Sequence, residues 1–494
     1  MSTSQWFDAP ESLPEIDRGR RWPHQIGILN DYVRIPYANG SSFASQFLYR
    51  EFTKRGHTVT IVGPHDPTSR PDQLPEERVE LRSLPLKNHP GVYLPLPTAA
   101  AFEQLSRRDL DIVLGQTGSE LAVIGTWLRA TRGVPFLCVN TIHLPSVYNV
   151  ILPDRVNEDP RIRQLFDGGV IPWLERHSAD VYNQGDGLIV LSGGLADYWR
   201  KRGVTVPIHV IPRAIEPGIF DRAPGKDPFD PRAKPGARLL VVCRHTREKN
   251  VTRLLELFAR WIAPAVPDAT LTLVGDGPDH EAFREAARTL GVGARCFFPG
   301  EHSVSDMPAF YAHADLFVYT SLSETYGQVV SEALWCGLPV VALADGMGVS
   351  QQVEHDVNGV LVSRTSDERA ADWRFGNEVL ALLRDPARRR RLAEGARRLA
   401  RVRSDPALSV SRYYTAFSEA ARHCREHPTR VPGLGHAFPI ARWFAVHGLL
   451  AALGCVRKPA VVNRHQRSQI DWTAFDGAGF KSGPRPVRLC DPVA

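Results

Sequence analysis

Several features are scarce in this 494-residue chain. Its seven cysteines stand at 138, 243, 296, 336, 424, 455 and 490, with no C-x-x-C pair and no His/Cys cluster at ligand spacing. That spacing excludes a disulfide framework and a structural zinc, and points to a reducing compartment. No run of about 18 uncharged apolar residues occurs, so no membrane-spanning helix is expected. The opening MSTSQWFDAPESLPEID is polar and acidic, and reads as no secretory leader. No Asp-x-Asp stands on a strand-end loop, no lysine stands out as a pyridoxal anchor, and no short-period repeat is present. The expectation is a chain with no catalytic metal and no bound cofactor.

What is present is enough apolar residue for two or three ordinary cores, 43% of the chain. The net charge of +6 is concentrated: from His427 onward there are nine Lys/Arg against three Asp. A basic tail on a near-neutral body is either a partner for an anionic surface or a solvated extension. It lacks the interleaved aromatics and glycine repeats of RNA-binding modules, so no nucleic-acid partner is expected. Within it, residues 436–459 (HAFPIARWFAVHGLLAALGCVRKP) are apolar, interrupted by Arg442 and His447 and closed by Arg457 and Lys458. That pattern fits either an interfacial helix on anionic lipid or an extra helix packed on the protein.

Short apolar runs alternate with helical periodicity from residue 25 onward. QIGILN leads through DYVRIPYANGSS into FASQFLYREFTKRGH, with Phe43, Phe47, Leu48 and Phe52 on one stripe, then into the strand TVTIVGP. Further strands are predicted at 111–116, 135–141 and 187–192. A second series starts after HVIPRAI (209–215) and the stretch PGKDPFDPRAKPGA (224–237), which reads as a linker. Strands apolar on both faces imply parallel sheets covered by helices. The predicted fold is α/β, with two tandem doubly wound domains facing a cleft. The boundaries are an N-terminal extension 1–24, a first domain 25–215, a second 216–405, a helix 406–425 and a basic extension 426–494.

In such folds ligands sit at the carboxyl ends of the strands. YANGSS (37–42) places Gly40 and Ser41 where backbone can approach a phosphate at a helix start. CRHTREKN (243–250) puts Arg244 and Lys249 at the exit of a strand, a guanidinium fork beside a movable ammonium. LVGDGP (273–278) is a tight turn that shapes the neighbouring wall. SETYGQVVSEALWCGLPVVA (323–342) raises a sharper question: Glu324 sits in a loop, and Glu332 lies eight residues on, in an apolar helix. Ionised carboxylates accept only, and two of them suit sugar hydroxyls. The amides of Thr325, Tyr326, Gly327 and Gln328 would open that helix toward an anion.

These residues together carry a resemblance. The Glu324/Glu332 pair, the R…EKN loop, GDGP, CGLPVVA and VNGVLV (357–362) resemble the retaining nucleotide-sugar glycosyltransferases of the GT-B fold, family four. YANGSS, NTIHLPSVYN (140–149) and IHVIPRAIEPGIF resemble their N-terminal half more loosely. The resemblance spans roughly residues 25–425 and is nearest in flavour to members that glycosylate membrane lipids, such as diacylglycerol.

It implies that Arg244 and Lys249 bind the donor diphosphate and Glu332 the ribose hydroxyls. Glu324 and the amides of Thr325 through Gln328 would hold the transferred sugar. His143 would sit at the reaction centre, and Gly40 against phosphate. The implied donor is a UDP- or GDP-sugar, and the implied acceptor a lipid or glycan. The implied location is cytoplasmic, peripheral on the inner membrane face if the tail binds lipid. Ala214 and Cys243 depart from the glycines usual in the family, and DGMGVSQQVEHD (345–356) is longer than the usual turn. Two other readings stand beside it: a non-transferring GT-B enzyme such as a sugar-nucleotide epimerase, and a scaffold acting through the basic tail.

Overall fold

The computed structural model describes residues 22–34, 40–71, 74–85, 93–96, 98–116, 121–141, 160–321, 324–364 and 367–429. His143 and the apolar stretch 436–459 lie outside them.

Two parallel sheets dominate. The first is built from β1 (Gln25–Leu29), β2 (Thr58–Pro64), β3 (Arg78–Leu81), β6 (Ile112–Gly115), β7 (Phe136–Asn140), β8 (Gly187–Val190) and β9 (Ile208–Val210), in the order β3-β2-β1-β6-β7-β8-β9. A small antiparallel pair, β4 (Ser83–Pro85) and β5 (Tyr93–Pro95), stands apart. The second sheet holds β10 (Arg238–Val242), β11 (Thr270–Val274), β12 (Cys296–Gly300), β13 (Leu316–Tyr319), β14 (Val340–Leu343) and β15 (Gly359–Val362), in the order β12-β11-β10-β13-β14-β15. In each sheet the order reverses beside the first strand, between β1 and β6 and between β10 and β13. Those switch points are where the chain leaves two adjacent strands in opposite directions and opens a crevice.

The apolar runs form these strands because both faces are covered. Successive residues of β1 and β6 point alternately into two cores: Ile26, Ile28, Ile112 and Leu114 into one, Leu29 and Val113 into the other. The helix Gly40–Lys54 buries Phe47, Leu48 and Phe52 against the first of these, the face its periodicity requires. A single core underlies the second sheet, with Leu239, Leu271, Phe317 and Val341 at its centre.

The chain passes between domains twice. Ile211 is buried in the first domain's core and Ile215 in the second's. The return lies between the helix Pro386–Arg403 and the helix Pro406–Glu426. Asp405 caps that last helix by accepting from Leu408 N at 2.8 Å, and Pro406 begins it, so it starts sharply at the crossing. It then lays Val410, Tyr413, Phe417 and Ala420 onto the first domain, with the Phe417 ring 5.6 Å from that of Phe52. Nearer its end, Asp186 is buried between Arg129 (2.8 Å) and His423 Nδ1 (2.9 Å). The two passages meet where Ile215 N donates to Ser404 O at 3.0 Å.

The stretch 224–237 is not a linker. Phe229 and Ala233 are buried in the second domain's core, and Asp227 pairs with Arg238 at 2.8 Å. Its Pro and Gly residues form mostly exposed turns between those buried anchors, not a free connection. Among the described residues no helix is long and apolar enough to cross a membrane.

Candidate active site

The crevice of the second domain is built from the exits of β10, β11 and β13. Cys243, just past β10, is buried, and burial pushes its thiol up to about 12. The next strand exit fits against it so closely that a Cβ on Gly275 would lie 1.9 Å from the Cys243 carbonyl oxygen, at a φ of +131° that only glycine adopts readily. His245 N donates to Asp276 O at 2.9 Å, and Asp279 N donates to His245 O at 3.1 Å. The GDGP turn is therefore a wall laced to the CRH loop. His245 itself is fully buried, with its Nδ1 2.9 Å from that of His280. Burial, helped by His280, pulls it down to about 4, so it stays neutral and serves as packing.

Between Cys243 and His245, Arg244 stands exposed. Among the described residues no acceptor is bonded to its guanidinium. The chain then makes a tight turn, Arg247–Lys249, and Asn250 adopts a left-handed φ of 55°. Asn250 Nδ2 donates to Thr320 O (3.2 Å) and Thr320 Oγ1 donates to Asn250 O (3.0 Å), which fastens the β10 loop to the β13 loop. That fastening brings Lys249 Nζ to 2.5 Å from Glu324 Oε1. The same oxygen accepts from Tyr319 OH and Ser321 Oγ, each at 2.8 Å. The pair is largely buried, with side-chain exposures of 19% and 12%. Burial alone would lower Lys249, but the attraction of Glu324 outweighs it and the ammonium is held above its ordinary value.

Gly327, at a φ of +82°, turns the chain into the helix Gln328–Trp335. Glu332, half-buried on that helix, accepts from Tyr311 OH at 2.8 Å and is also bonded by Gln328. Burial pushes Glu332 up to about 7, against the pull of those two hydrogen bonds. Gln328 Oε1 is buried without a partner among the described residues. Thr325 Oγ1 donates to Thr141 O at 3.1 Å, so the loop carrying Glu324 touches the first domain at the end of β7. Gly40 and Ser41 open the helix Gly40–Lys54, at the carboxyl end of the β1 connection.

Of the eleven residues the sequence nominates, Lys249 and Glu324 are in direct contact. Arg244 and the 325–328 turn belong to the same two joined loops, and Glu332 lies one helical turn further on. Tyr326 is nominated for its backbone amide, and its side chain serves another purpose. Its side chain is 5% exposed, and its hydroxyl is committed to Arg213 O, Ser331 and Ser404, so it offers a ligand no more than its backbone. Residues that carry the site without having been nominated include Tyr319, Ser321, Tyr311 and Asp345. Asp345 holds the loop by accepting from Glu324 N (3.1 Å), Met347 N (2.9 Å) and Ser350 N (3.0 Å). The DG at 345–346 is the turn signal that could have found it.

The 345–356 segment also has a use beyond its own turn. Gln351 Oε1 accepts from Gly193 N at 2.7 Å, capping the helix Gly193–Lys201 of the first domain. Met347 packs on the first domain's core, and Gln352 Nε2 donates to the carbonyl of Tyr326.

A guanidinium without a bonded acceptor among the described residues and a lysine–glutamate pair thus meet at a switch point, with a second carboxylate behind, in a chain whose two halves each match a known family. The family described as "Glycosyl transferases group 1" matches residues 226–399, and "Glycosyl transferase 4-like domain" matches residues 39–214. The chain is a group 1 glycosyltransferase of the GT-B fold. Among its relatives, alpha-monoglucosyldiacylglycerol synthase of Streptococcus pneumoniae is 27% identical over 68% of this chain and 77% of its own length. A D-inositol 3-phosphate glycosyltransferase of Salinispora arenicola is 36% identical, over 55% of this chain and 61% of its own length. The Anabaena protein HepE, solved in complex with UDP, covers 80% of this glycosyltransferase at a TM-score of 0.60 and 18% identity. A sucrose-phosphate synthase from Thermosynechococcus elongatus covers 80% at 0.62 and 20%. The last two likenesses establish the fold. Among the described residues of this glycosyltransferase, no group of three or more His, Cys, Asp or Glu is placed to hold a metal.

Proposed function

We propose that this glycosyltransferase moves a hexosyl group, with retention of configuration, from a UDP-sugar to a hydroxyl of a membrane lipid such as diacylglycerol. The observation that carries the donor half of the reading is the Lys249–Glu324 pair at the β10/β13 switch point, with unpaired Arg244 beside it. In this reading Arg244 and Lys249 take the diphosphate, and Glu332 takes the ribose hydroxyls. Glu324 shares Lys249 with the phosphates and accepts from the hydroxyls of the sugar. Two cations on the leaving group stabilise the charge that develops there, and the diphosphate oxygen takes the acceptor's proton as the new glycosidic bond forms on the same face. His143 would stand beside the anomeric carbon, with Gly40 and Ser41 against phosphate. The positive charge the diphosphate needs comes from side chains in this scheme, with no metal ion in the scheme.

UDP as the nucleotide rests on HepE, and GDP is the competing base. The lipid acceptor rests on the pneumococcal synthase and on the basic tail 427–494, which would meet anionic headgroups on the cytoplasmic face. A second acceptor reading has its own support: the inositol-phosphate glycosyltransferase has the higher identity, which favours a small phosphorylated acceptor. The test is a thermal-shift panel of UDP- and GDP-sugars, followed by transfer from the best donor. Diacylglycerol in anionic micelles and myo-inositol phosphate would be offered as acceptors, and the anomer read by NMR. Stabilisation by UDP-glucose and an α-linked glucolipid support the reading. No stabilisation by any nucleotide sugar sinks it, and transfer to inositol phosphate alone replaces the lipid. Loss of vesicle co-sedimentation on removing 427–494 tests the tail.

A further inference from the structure

Tyr326 lies two residues beyond Glu324, yet its hydroxyl reaches the place where the chain passes between domains. It is 3.2 Å from Arg213 O on the outward passage, 3.2 Å from Ser404 Oγ on the return and 3.1 Å from Ser331 Oγ. Ser331 and Ser404 also bond each other at 2.9 Å. Ser331 immediately precedes Glu332. One phenol thus joins both passages to the helix that carries Glu332. Its carbonyl is held as firmly, by Gln352 Nε2, while the flanking residues hold Lys249 and Thr141.

We propose that Tyr326 is a positioning residue whose hydroxyl transmits occupancy of the donor loop to the two interdomain passages, and so sets the gap across which transfer occurs. The inference rests on the donor being bound at Lys249 and Glu324. The hydrogen-bond circuit has the discrete alternatives such a device needs. A phenol has one proton to give, and Arg213 O can only accept, whereas each serine can donate or accept. When the phenol donates to Arg213 O, both serine protons are free to circulate between Ser331, Ser404 and the phenol oxygen. When it donates to a serine, Arg213 O is released and the outward passage can shift. A small, mostly apolar cavity lined by Pro212, Tyr326, Ser331, Leu334, Leu399 and Ser404 adjoins the cluster and gives that shift room. A rigid ring held at both ends passes on a displacement of the 324–327 turn, where diphosphate must compete with Glu324 for Lys249. Coupling is carried by elements with two arrangements that both sites bias.

The test uses the full-length protein, UDP-glucose as probe, and Tyr326→Phe, which keeps the buried ring. In the wild type, hydrogen exchange with UDP-glucose should slow at 324–332 and also at 211–216 and 404–408. In Tyr326→Phe the loop should stay protected while the donor-dependent protection of both passages falls at least about threefold. Turnover read as UDP release should drop roughly tenfold, with the KM for UDP-glucose within about twofold. Ser404→Ala, which keeps the phenol, should give a partial form of the same pattern. The inference is overturned if the passages respond alike in wild type and variants. It is also overturned if the variants differ only in exchange measured without UDP-glucose, which is what a purely structural role would give. No protection at 324–332 in the wild type refutes the donor site, and this inference with it, so the two failures are told apart.

Discussion

If Glu332 receives ribose hydroxyls, donor affinity must depend on pH in a way its surroundings dictate. Burial has pushed its carboxyl up to about 7, and only the ionised form is a pure acceptor. Its titratable neighbours stay silent in this range: burial and then Glu332 raise Tyr311 well above its ordinary value, and Cys336 is pushed up to about 12. UDP-glucose suits the test because its diphosphate is a diester with no proton that titrates near neutrality. The fraction of protein ready to bind then sets the apparent Kd, which should be about tenfold weaker at pH 6 than at pH 8. Calorimetry in buffers of different ionisation enthalpy should show about one proton released on binding at pH 6. Glu332→Gln should bind more weakly at pH 8 and lose the slope. The same shift acts on the fold: with the native value above the ordinary 4.5, its stabilising share is complete below that pH and is lost as pH rises through about 7. An affinity that is flat from pH 6 to 8, or a slope that survives Glu332→Gln, would refute the assignment.

Lys249→Met strands Glu324 with two hydroxyl donors and no cation, and should cost about 3 kcal/mol of unfolding free energy in denaturant titrations. Combining it with Glu324→Gln should recover part of that loss, and strictly additive losses would show that the pair is not coupled. Arg244→Gln, at an exposed and unpaired position, should leave the melting temperature unchanged. It should weaken UDP-glucose binding about 10- to 100-fold, as calorimetry would measure. Phe417→Ala should lower stability by about 3–5 kcal/mol, because a fully buried ring at the junction of the last helix with Phe52 leaves a cavity. A loss under 1 kcal/mol would mean that the last helix is loosely attached.

The doubly wound fold is legible because QIGILN, RLLVVCR and their counterparts are apolar on both faces, a pattern only a covered parallel sheet satisfies. Helix Gly40–Lys54 is legible from the stripe through Phe47, Leu48 and Phe52. The stretch 224–237 misleads for a physical reason. Phe229 and Ala233 are buried without belonging to any periodic element, so composition shows the turns and hides the packing. Arg244, Lys249, Glu324 and Glu332 are legible because each follows a strand or sits oddly in an apolar helix. What a single sequence hides is their company. Tyr319 and Ser321 reach Glu324 from the same strand exit, but Tyr311 reaches Glu332 from a different helix. Tyr326 is nominated for its amide alone, and the burial of its phenol against Arg213 O, Ser331 and Ser404 rests on tertiary contacts that no single sequence displays.

The most direct test of the account is a crystal structure of the protein with UDP bound. The account predicts the diphosphate within hydrogen-bond distance of Arg244 and Lys249, and the ribose hydroxyls on Glu332. A nucleotide seated elsewhere, with Lys249 still closed on Glu324 and Arg244 still empty-handed, would contradict it.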